Sequence, residues 1–245
     1  MNQSDYKMIL SLKNKKGRKK HNTFLIEGRR LIDSALSKPS LIKVVYYTIT
    51  FKKKNFSLFE KLKNLNVLYK EVSDKNLKKL SSTIHPSGIF ALYLIPQIKD
   101  LILDENKWIY LDKISDPGNL GALLRSASWF NFKNIALSTG CVDPYNPKVV
   151  RSSMGGIFNL SIHLDIELKS FSKSYNIIGT SQNGDDLNTL VMPKKFVLII
   201  GSESDGISEE NFNIINQMIA IKKLGEGDSL NAGVAGSIVM YKLST

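Results

Sequence analysis

Three stretches of the chain combine polar side chains that could hold a reacting group with small residues that let a ligand approach the backbone. The first, SDPGNLGALLRSASWF (115–130), carries Asn119 and Arg125. Asp116, Pro117, Gly118 and Asn119 supply turn and cap chemistry, and Leu120, Leu123, Leu124, Ala127 and Phe130 then recur at helical core spacing. Arg125 falls on the flank of that stripe, where the small Gly121 and Ser128 leave its guanidinium room to reach a ligand; a plain surface arginine is the competing reading. The second stretch, GSESDGIS (201–208), sets Glu203 between Gly201 and Gly206 directly after an apolar run, although a bland polar turn has the same composition. The third, IKKLGEGDSLNAGVAGSIVMYKL (221–243), runs through a glycine-rich loop into a terminal helix for which Ser229 is the natural N-cap. Ala232, Gly233, Ala235, Gly236 and Ser237 suit close approach of another backbone or a ligand, which a surface helix does not require.

The parts of several standard chemistries are missing. No G-x-x-x-x-G-K-[ST] phosphate loop is present, and GEGDSL has Leu230 where a dinucleotide fingerprint needs its third glycine. His21, His85 and His163 are widely spaced without paired metal ligands, so no metal is expected. G-x-S-x-G is absent, and the single Cys141 allows neither an intrachain disulfide nor a cysteine-rich metal site.

The elements that must position the three stretches alternate. Strand candidates in the second part are 108–112, 134–138, 157–163, 176–180, 196–200 and 218–222, separated mostly by helical segments. Such alternation predicts a mostly parallel sheet covered on both faces, with ligands beyond the carboxyl ends of its strands. In the first part, apolar positions over 24–36 predict an amphipathic helix with Arg29 and Arg30 near its exposed side. Strands are expected at 41–47, 66–70 and 88–95, and a helix capped by Ser73 at 73–80. The reading is therefore an α/β chain with a small domain over 1–100, a linker near 96–106 and a second domain over 107–245.

The net charge of +12 is unevenly spread: residues 1–100 hold 21 Lys and Arg against 7 Asp and Glu, whereas residues 101–245 hold 13 against 15. The whole excess lies in the first part, in the run KNKKGRKK (13–20), the pair Arg29 and Arg30, and Lys52 to Lys54. Clustered Lys and Arg release counterions from a polyanion, so Lys15, Lys16, Arg18, Lys19, Lys20, Arg29 and Arg30 are candidate contacts to the phosphates of a polyanion. A solvated lysine-rich face is the alternative for any one run, and the asymmetry weighs against it. Apolar runs are far short of a membrane span and the first ten residues are too polar for a signal peptide, so a cytoplasmic protein is expected.

N-x-x-x-x-x-R (119–125), G-x-E-x-x-G (201–206) and S-L-N (229–231), in this order and at strand ends, resemble the three signature motifs of the SpoU (TrmH) family of RNA ribose 2′-O-methyltransferases, within the SPOUT superfamily. FLIEGRRLIDSAL (24–36) more loosely resembles the ribosomal-protein-L30e-like substrate-binding domain that many members carry. The resemblance implies a C-terminal α/β domain with a trefoil knot, S-adenosylmethionine as methyl donor, a homodimer, and structured RNA as substrate, 23S rRNA before tRNA. A non-catalytic RNA-binding assembly factor of the same fold is the alternative. By position the resemblance assigns Thr180, Gly201, Ile221 and Leu230 to the cofactor, and Asn119, Arg125, Glu203, Ser229 and Asn231 to the polar catalytic set. The chain departs from the pattern at Lys222 and Lys223, where a proline is usual after Ile221, and at Ala232 and Gly233.

Methyl transfer from a sulfonium leaves a neutral thioether, so the demand falls on the ribose hydroxyl, which must lose its proton. Arginine's pKa above about 12 makes it a poor proton acceptor. Arg125 is therefore expected to clamp the adjacent phosphate, with Glu203 orienting Arg125 or taking the proton, and Asn119 and Asn231 fixing the geometry.

Overall fold

The computed structural model describes residues 2–97, 101 and 103–244. Ile98, Lys99, Asp100 and Ile102, within the expected linker, lie outside the described residues. The chain divides into two compact units, Met1–Gln97 with Asp143–Phe158, and Ile98–Val142 with Asn159–Thr245.

The first unit contains helices α1 (Gln3–Ser11), α2 (Lys15–His21), α3 (Arg29–Ala35), α4 (Ile49–Lys54), α5 (Phe56–Asn64) and α6 (Asp74–Leu80). Its strands β1 (Thr23–Glu27), β2 (Ile42–Tyr47), β3 (Tyr69–Glu71) and β4 (Ile89–Leu94) form one sheet in the order β1-β4-β2-β3. The helix expected over 24–36 is thus a strand followed by a helix. Leu25 and Ile26 pair antiparallel with Leu92 and Ala91, and the chain turns at Gly28 before Arg29 opens α3. The run FLIE is apolar on both faces, so helical and strand periodicities could not be told apart there. Ser73 caps α6 as its position predicts, its Oγ accepting from the Asn76 N–H at 3.3 Å. Ile9, Leu12, Leu25, Tyr46, Phe90 and Leu92 make the core on one side of this sheet.

The second unit holds β5 (Lys107–Leu111), α7 (Pro117–Trp129), β6 (Asn134–Leu137), β7 (Ser161–His163), β8 (Asn176–Asp186), β9 (Phe196–Ile200), α9 (Glu209–Phe212), β10 (Gln217–Ala220) and α10 (Ala232–Lys242). All its strand pairings are parallel, in the order β10-β8-β9-β5-β6-β7. The chain moves from β5 outward to β7 and then crosses to β8, so the winding of the chain across the parallel sheet changes side between β5 and β9. Leu111 pairs with both Ile200 and Leu137, which brings the carboxyl ends of β5, β9 and β6 level. Trp108, Tyr110, Phe171, Val197 and Ile199 pack the core beneath.

Residues 143–158, which join β6 to β7 and carry α8 (Pro147–Ser152), belong to the first unit. Tyr145 packs tilted against Phe24 with ring centroids 4.9 Å apart, and Phe158 meets Tyr93 at 5.0 Å. This explains why the strand expected over 157–163 is only Ser161–His163: residues 156–159 form a 3-10 turn that turns Phe158 onto Tyr93.

Candidate active site

The site is built from the three loops that follow β5, β9 and β10. After β5, the Asp116 carboxylate accepts from the Asn119 N–H at 2.8 Å and Pro117 occupies the first turn, so α7 starts with Asn119 in a fixed, nearly buried place. After β9, Ser202 and Gly206 exchange backbone hydrogen bonds of 2.9 and 3.1 Å and close the loop at its neck, leaving Glu203 near its tip. Only glycine fits at 201: a Cβ there would stand 2.2 Å from the Gly206 carbonyl carbon. After β10, the chain runs exposed to Asn231, whose Oδ1 accepts from the N–H groups of Gly233 and Val234 at 3.0 and 3.3 Å.

Asn231, not Ser229, is therefore the N-cap of α10. The helix begins at Ala232, which leaves Ser229 three positions upstream on the exposed loop. The capping amide does a second task. Asn231 Nδ2 donates to Asn119 Oδ1 at 2.8 Å and lies 3.3 and 3.4 Å from the two Glu203 oxygens, while Asn119 Nδ2 donates to Glu203 Oε2 at 2.8 Å. Each amide has one donor side and one acceptor side, and here both are used in a single direction, from the α10 backbone through Asn231 and Asn119 to the carboxylate. Hydrogen bonds to an ionised acceptor are roughly twice as strong as neutral ones, so the carboxylate ties all three loops together.

Arg125 and Ser229 stand outside this cluster. Arg125 is exposed on α7 and makes no hydrogen bond or ion pair among the described residues. Glu203 is engaged by the two asparagines and does not orient it. α10 nevertheless lies close on α7: the Ser126 and Ser237 hydroxyls are 2.7 Å apart, and a Cβ at Gly236 would stand 2.4 Å from Leu123.

Three of the four positions matched to a cofactor lie toward the carboxyl ends of neighbouring strands, and the fourth, Leu230, is on the loop after β10. Gly179 pairs with both Met218 and Ile199, so Thr180, Gly201 and Ile221 follow that row by one, two and three residues on the neighbouring strands β8, β9 and β10. Thr180 Oγ1 donates to the Ile199 carbonyl at 3.3 Å. Beyond Gly179 the β8·β10 register jumps, Met218 pairing with Gly179 but Ile219 with Asp185, and residues 180–184 bulge out. Gln182, which sequence reasoning missed, donates from this bulge to the Asp228 carbonyl at 2.8 Å and ties it to the loop bearing Leu230. No spacing signal could have found a contact across 46 positions. Leu224 and Leu230, on the loop after β10, are 89% and 50% exposed. Lys222 and Lys223 are exposed.

In the first unit Lys15, Lys16, Lys19, Lys20 and Arg30 are exposed. Arg29 is exposed too, with Nη1 donating to Asn55 Oδ1 at 2.8 Å and Nε 3.4 Å from Asp33. Arg18 is the correction. It is 3% exposed, its Nε and Nη2 lie 2.8 and 2.5 Å from Asp143 Oδ2, and its Nη1 donates to the Leu12 carbonyl at 2.8 Å. A guanidinium so enclosed holds residues 143–158 to α2 and is withdrawn from any polyanion outside. Among the described residues no cluster of His, Cys, Asp and Glu could hold a metal ion.

The profile of the SpoU rRNA Methylase family matches residues 106–241, and that of the MRM3-like substrate binding domain matches residues 4–91. The 23S rRNA (guanosine(2553)-2′-O)-methyltransferase RlmP of Bacillus subtilis is 29% identical over 240 residues, covering 95% of this chain and 92% of that protein. Among solved structures, the AdoMet-bound rRNA methyltransferase from Sinorhizobium meliloti superposes with a TM-score of 0.84 at 25% identity, over 98% of this chain and 94% of that one. The SpoU methyltransferase AviRb from Streptomyces viridochromogenes shares the fold, with a TM-score of 0.85 at 22% identity over 99% and 97% of the two chains.

Proposed function

Because the chain belongs to the SpoU rRNA methylase family, we propose that it transfers a methyl group from S-adenosylmethionine to a ribose 2′-hydroxyl of structured RNA, with 23S rRNA as the target. The observation that carries this reading is the meeting of Asn119, Glu203 and Asn231, one from each motif. The 23S rRNA assignment draws on RlmP, which matches this chain over nearly its full length.

Thr180, Gly201, Ile221 and Leu230 would hold the cofactor, and the chemistry of the site fits it: exposed apolar Leu224 and Leu230 suit a purine, and Glu203 suits a nearby cation. When bound, the cofactor supplies an electrophilic methyl whose departure leaves a neutral thioether, so no general acid is required. Arg125, permanently charged and unengaged, clamps the phosphate next to the target ribose and fixes the 2′-oxygen for in-line attack. The hydroxyl proton passes to Glu203, whose Oε1 is the less occupied oxygen, accepting only from Asn231 at 3.3 Å, while Oε2 also takes Asn119. Ser229, exposed on the loop after β10 and free of the capping role, meets the substrate in this reading.

The exposed cations of the first unit supply the RNA-binding surface. A homodimer belongs to the same reading. Val234, Ile238 and Tyr241 form one apolar stripe on α10, with Tyr241 against Phe130 and with Trp129 on α7 81% exposed, a surface suited to a second copy. The trefoil threading of the C-terminal segment that the family resemblance implies belongs to the same reading. No helix among the described residues is long and apolar enough to cross a membrane. The test is to incubate the pure protein with labelled S-adenosylmethionine, rRNA and tRNA. Label on a ribose of large-subunit rRNA is expected; transfer to tRNA alone would move the target, and transfer to no RNA would overturn the enzyme.

A further inference from the structure

We propose that Asp112 is a positioning residue for methyl transfer: its carboxylate anchors the 201–208 loop through Ser208 and thereby sets where Glu203 stands. This rests on the methyltransferase reading above.

Asp112 follows β5 and has no solvent exposure. Its N–H donates to the Ile200 carbonyl at 2.9 Å, which carries the β5·β9 pairing one residue further. Its Oδ2 accepts both the backbone N–H and the hydroxyl of Ser208, each at 2.8 Å, while Oδ1 is buried and receives no donor among the described residues. The next residue, Lys113, stands in the left-handed region at φ 53° with its N–H on Ser138 Oγ at 2.8 Å. A half-paired buried carboxylate followed by a strained non-glycine residue is doubly unfavourable, and such features persist where a surrounding site makes use of them.

The use is visible in Ser208. This residue precedes α9, yet its hydroxyl makes no bond to that helix, whereas Ser73 before α6 caps in the usual way. The Ser208 hydroxyl is turned to Asp112 instead. The 201–208 loop is therefore held at one end by β9, at its neck by the Ser202–Gly206 backbone pair, and at its far end by Asp112. Glu203 is the residue that this support presents to Asn119 and Asn231. Asp112 touches neither of them, so it acts through the loop.

The experiment compares Asp112→Ala, Asp112→Asn and Ser208→Ala in the full-length protein. kcat and cofactor KM are measured on rRNA, and amide hydrogen exchange is followed at Ser202 and Gly206. A loop displaced by about 1 Å loses on the order of 100-fold in rate, so Asp112→Ala is expected to lose about that in kcat with a smaller change in KM. Asp112→Asn, which keeps an oxygen for Ser208, should recover about tenfold of this loss. Ser208→Ala retains the buried backbone bond and provides the answer if Asp112→Ala does not fold; its kcat should fall about tenfold. Exchange at Ser202 and Gly206 should quicken in each variant that folds. Wild-type kcat in Ser208→Ala or in folded Asp112→Ala, or unchanged exchange at both amides, would overturn the proposal. The exchange arm stands even if the wild-type protein methylates no RNA, which separates failure of this proposal from failure of the enzyme assignment.

Discussion

The two units use charge in opposite ways. In the first, most cations are exposed on helices and loops and are interchangeable, since counterion release depends on their number and clustering more than on exact placement. In the second, the Asn119–Glu203–Asn231 cluster spends one carboxylate and two amides in a chain of directed hydrogen bonds, whose geometry depends on the position of each atom. Arg18 and Arg125 cross this division. Arg18 lies in the basic run yet behaves as an interior residue, and Arg125 lies on the helix that carries Asn119 yet is exposed and makes no ion pair among the described residues. A charge is thus defined by what encloses it, and the two arginines give the sharpest ways to test the contrast.

The largest effect is expected from Arg18→Ala. Removing one partner of a buried ion pair costs about 3–5 kcal/mol because the other charge is left uncompensated. Urea unfolding should show that loss, and a change no larger than that of Lys19→Ala would put Arg18 back among the surface cations. Next is Arg125→Ala, which should lower single-turnover methyl transfer by about 100-fold or more while RNA affinity stays near wild type. Retained transfer would remove Arg125 from the chemistry. Asn231→Ala combines a lost N-cap, worth about 1 kcal/mol, with a Glu203 freed on one side. Its melting temperature should fall modestly and its kcat more steeply than the stability loss alone explains; a purely thermal effect would reduce Asn231 to a cap. The smallest effect belongs to the exposed lysines. Each of Lys15→Ala, Lys16→Ala, Lys19→Ala and Lys20→Ala should lower the salt slope of RNA binding by about one unit at most, roughly additively, with kcat unchanged. A single lysine that abolished binding would show that the first unit also works by exact position.

Much of the second unit was legible because its signals are local. Buried parallel strands read as short apolar runs, and the loops after β5, β9 and β10 carry their polar residues at fixed spacing from those runs. The first unit was less so. In FLIE every side chain except the last is buried, so no alternation marks the strand, and helix and strand fit equally well until β4 supplies the partner. The cap of α10 was misplaced from Asn231 to Ser229 because both residue types cap well and only the observed start of the helix chooses between them.

The amino-acid sequence by itself determined the order of elements in the second unit, the three polar stretches at its strand ends, and the confinement of the positive excess to the first 100 residues. These follow from periodicity, composition and spacing, which are properties of neighbours along the chain. Only the tertiary structure decided that Asn119, Glu203 and Asn231 form one hydrogen-bonded cluster, that residues 143–158 complete the first unit, and that Arg18 is buried against Asp143. The physical reason is range. Arg18 and Asp143 are 125 positions apart, and Asn119 and Asn231 are 112 apart; such contacts are fixed by which surfaces pack and which donors find acceptors, information that no local window contains.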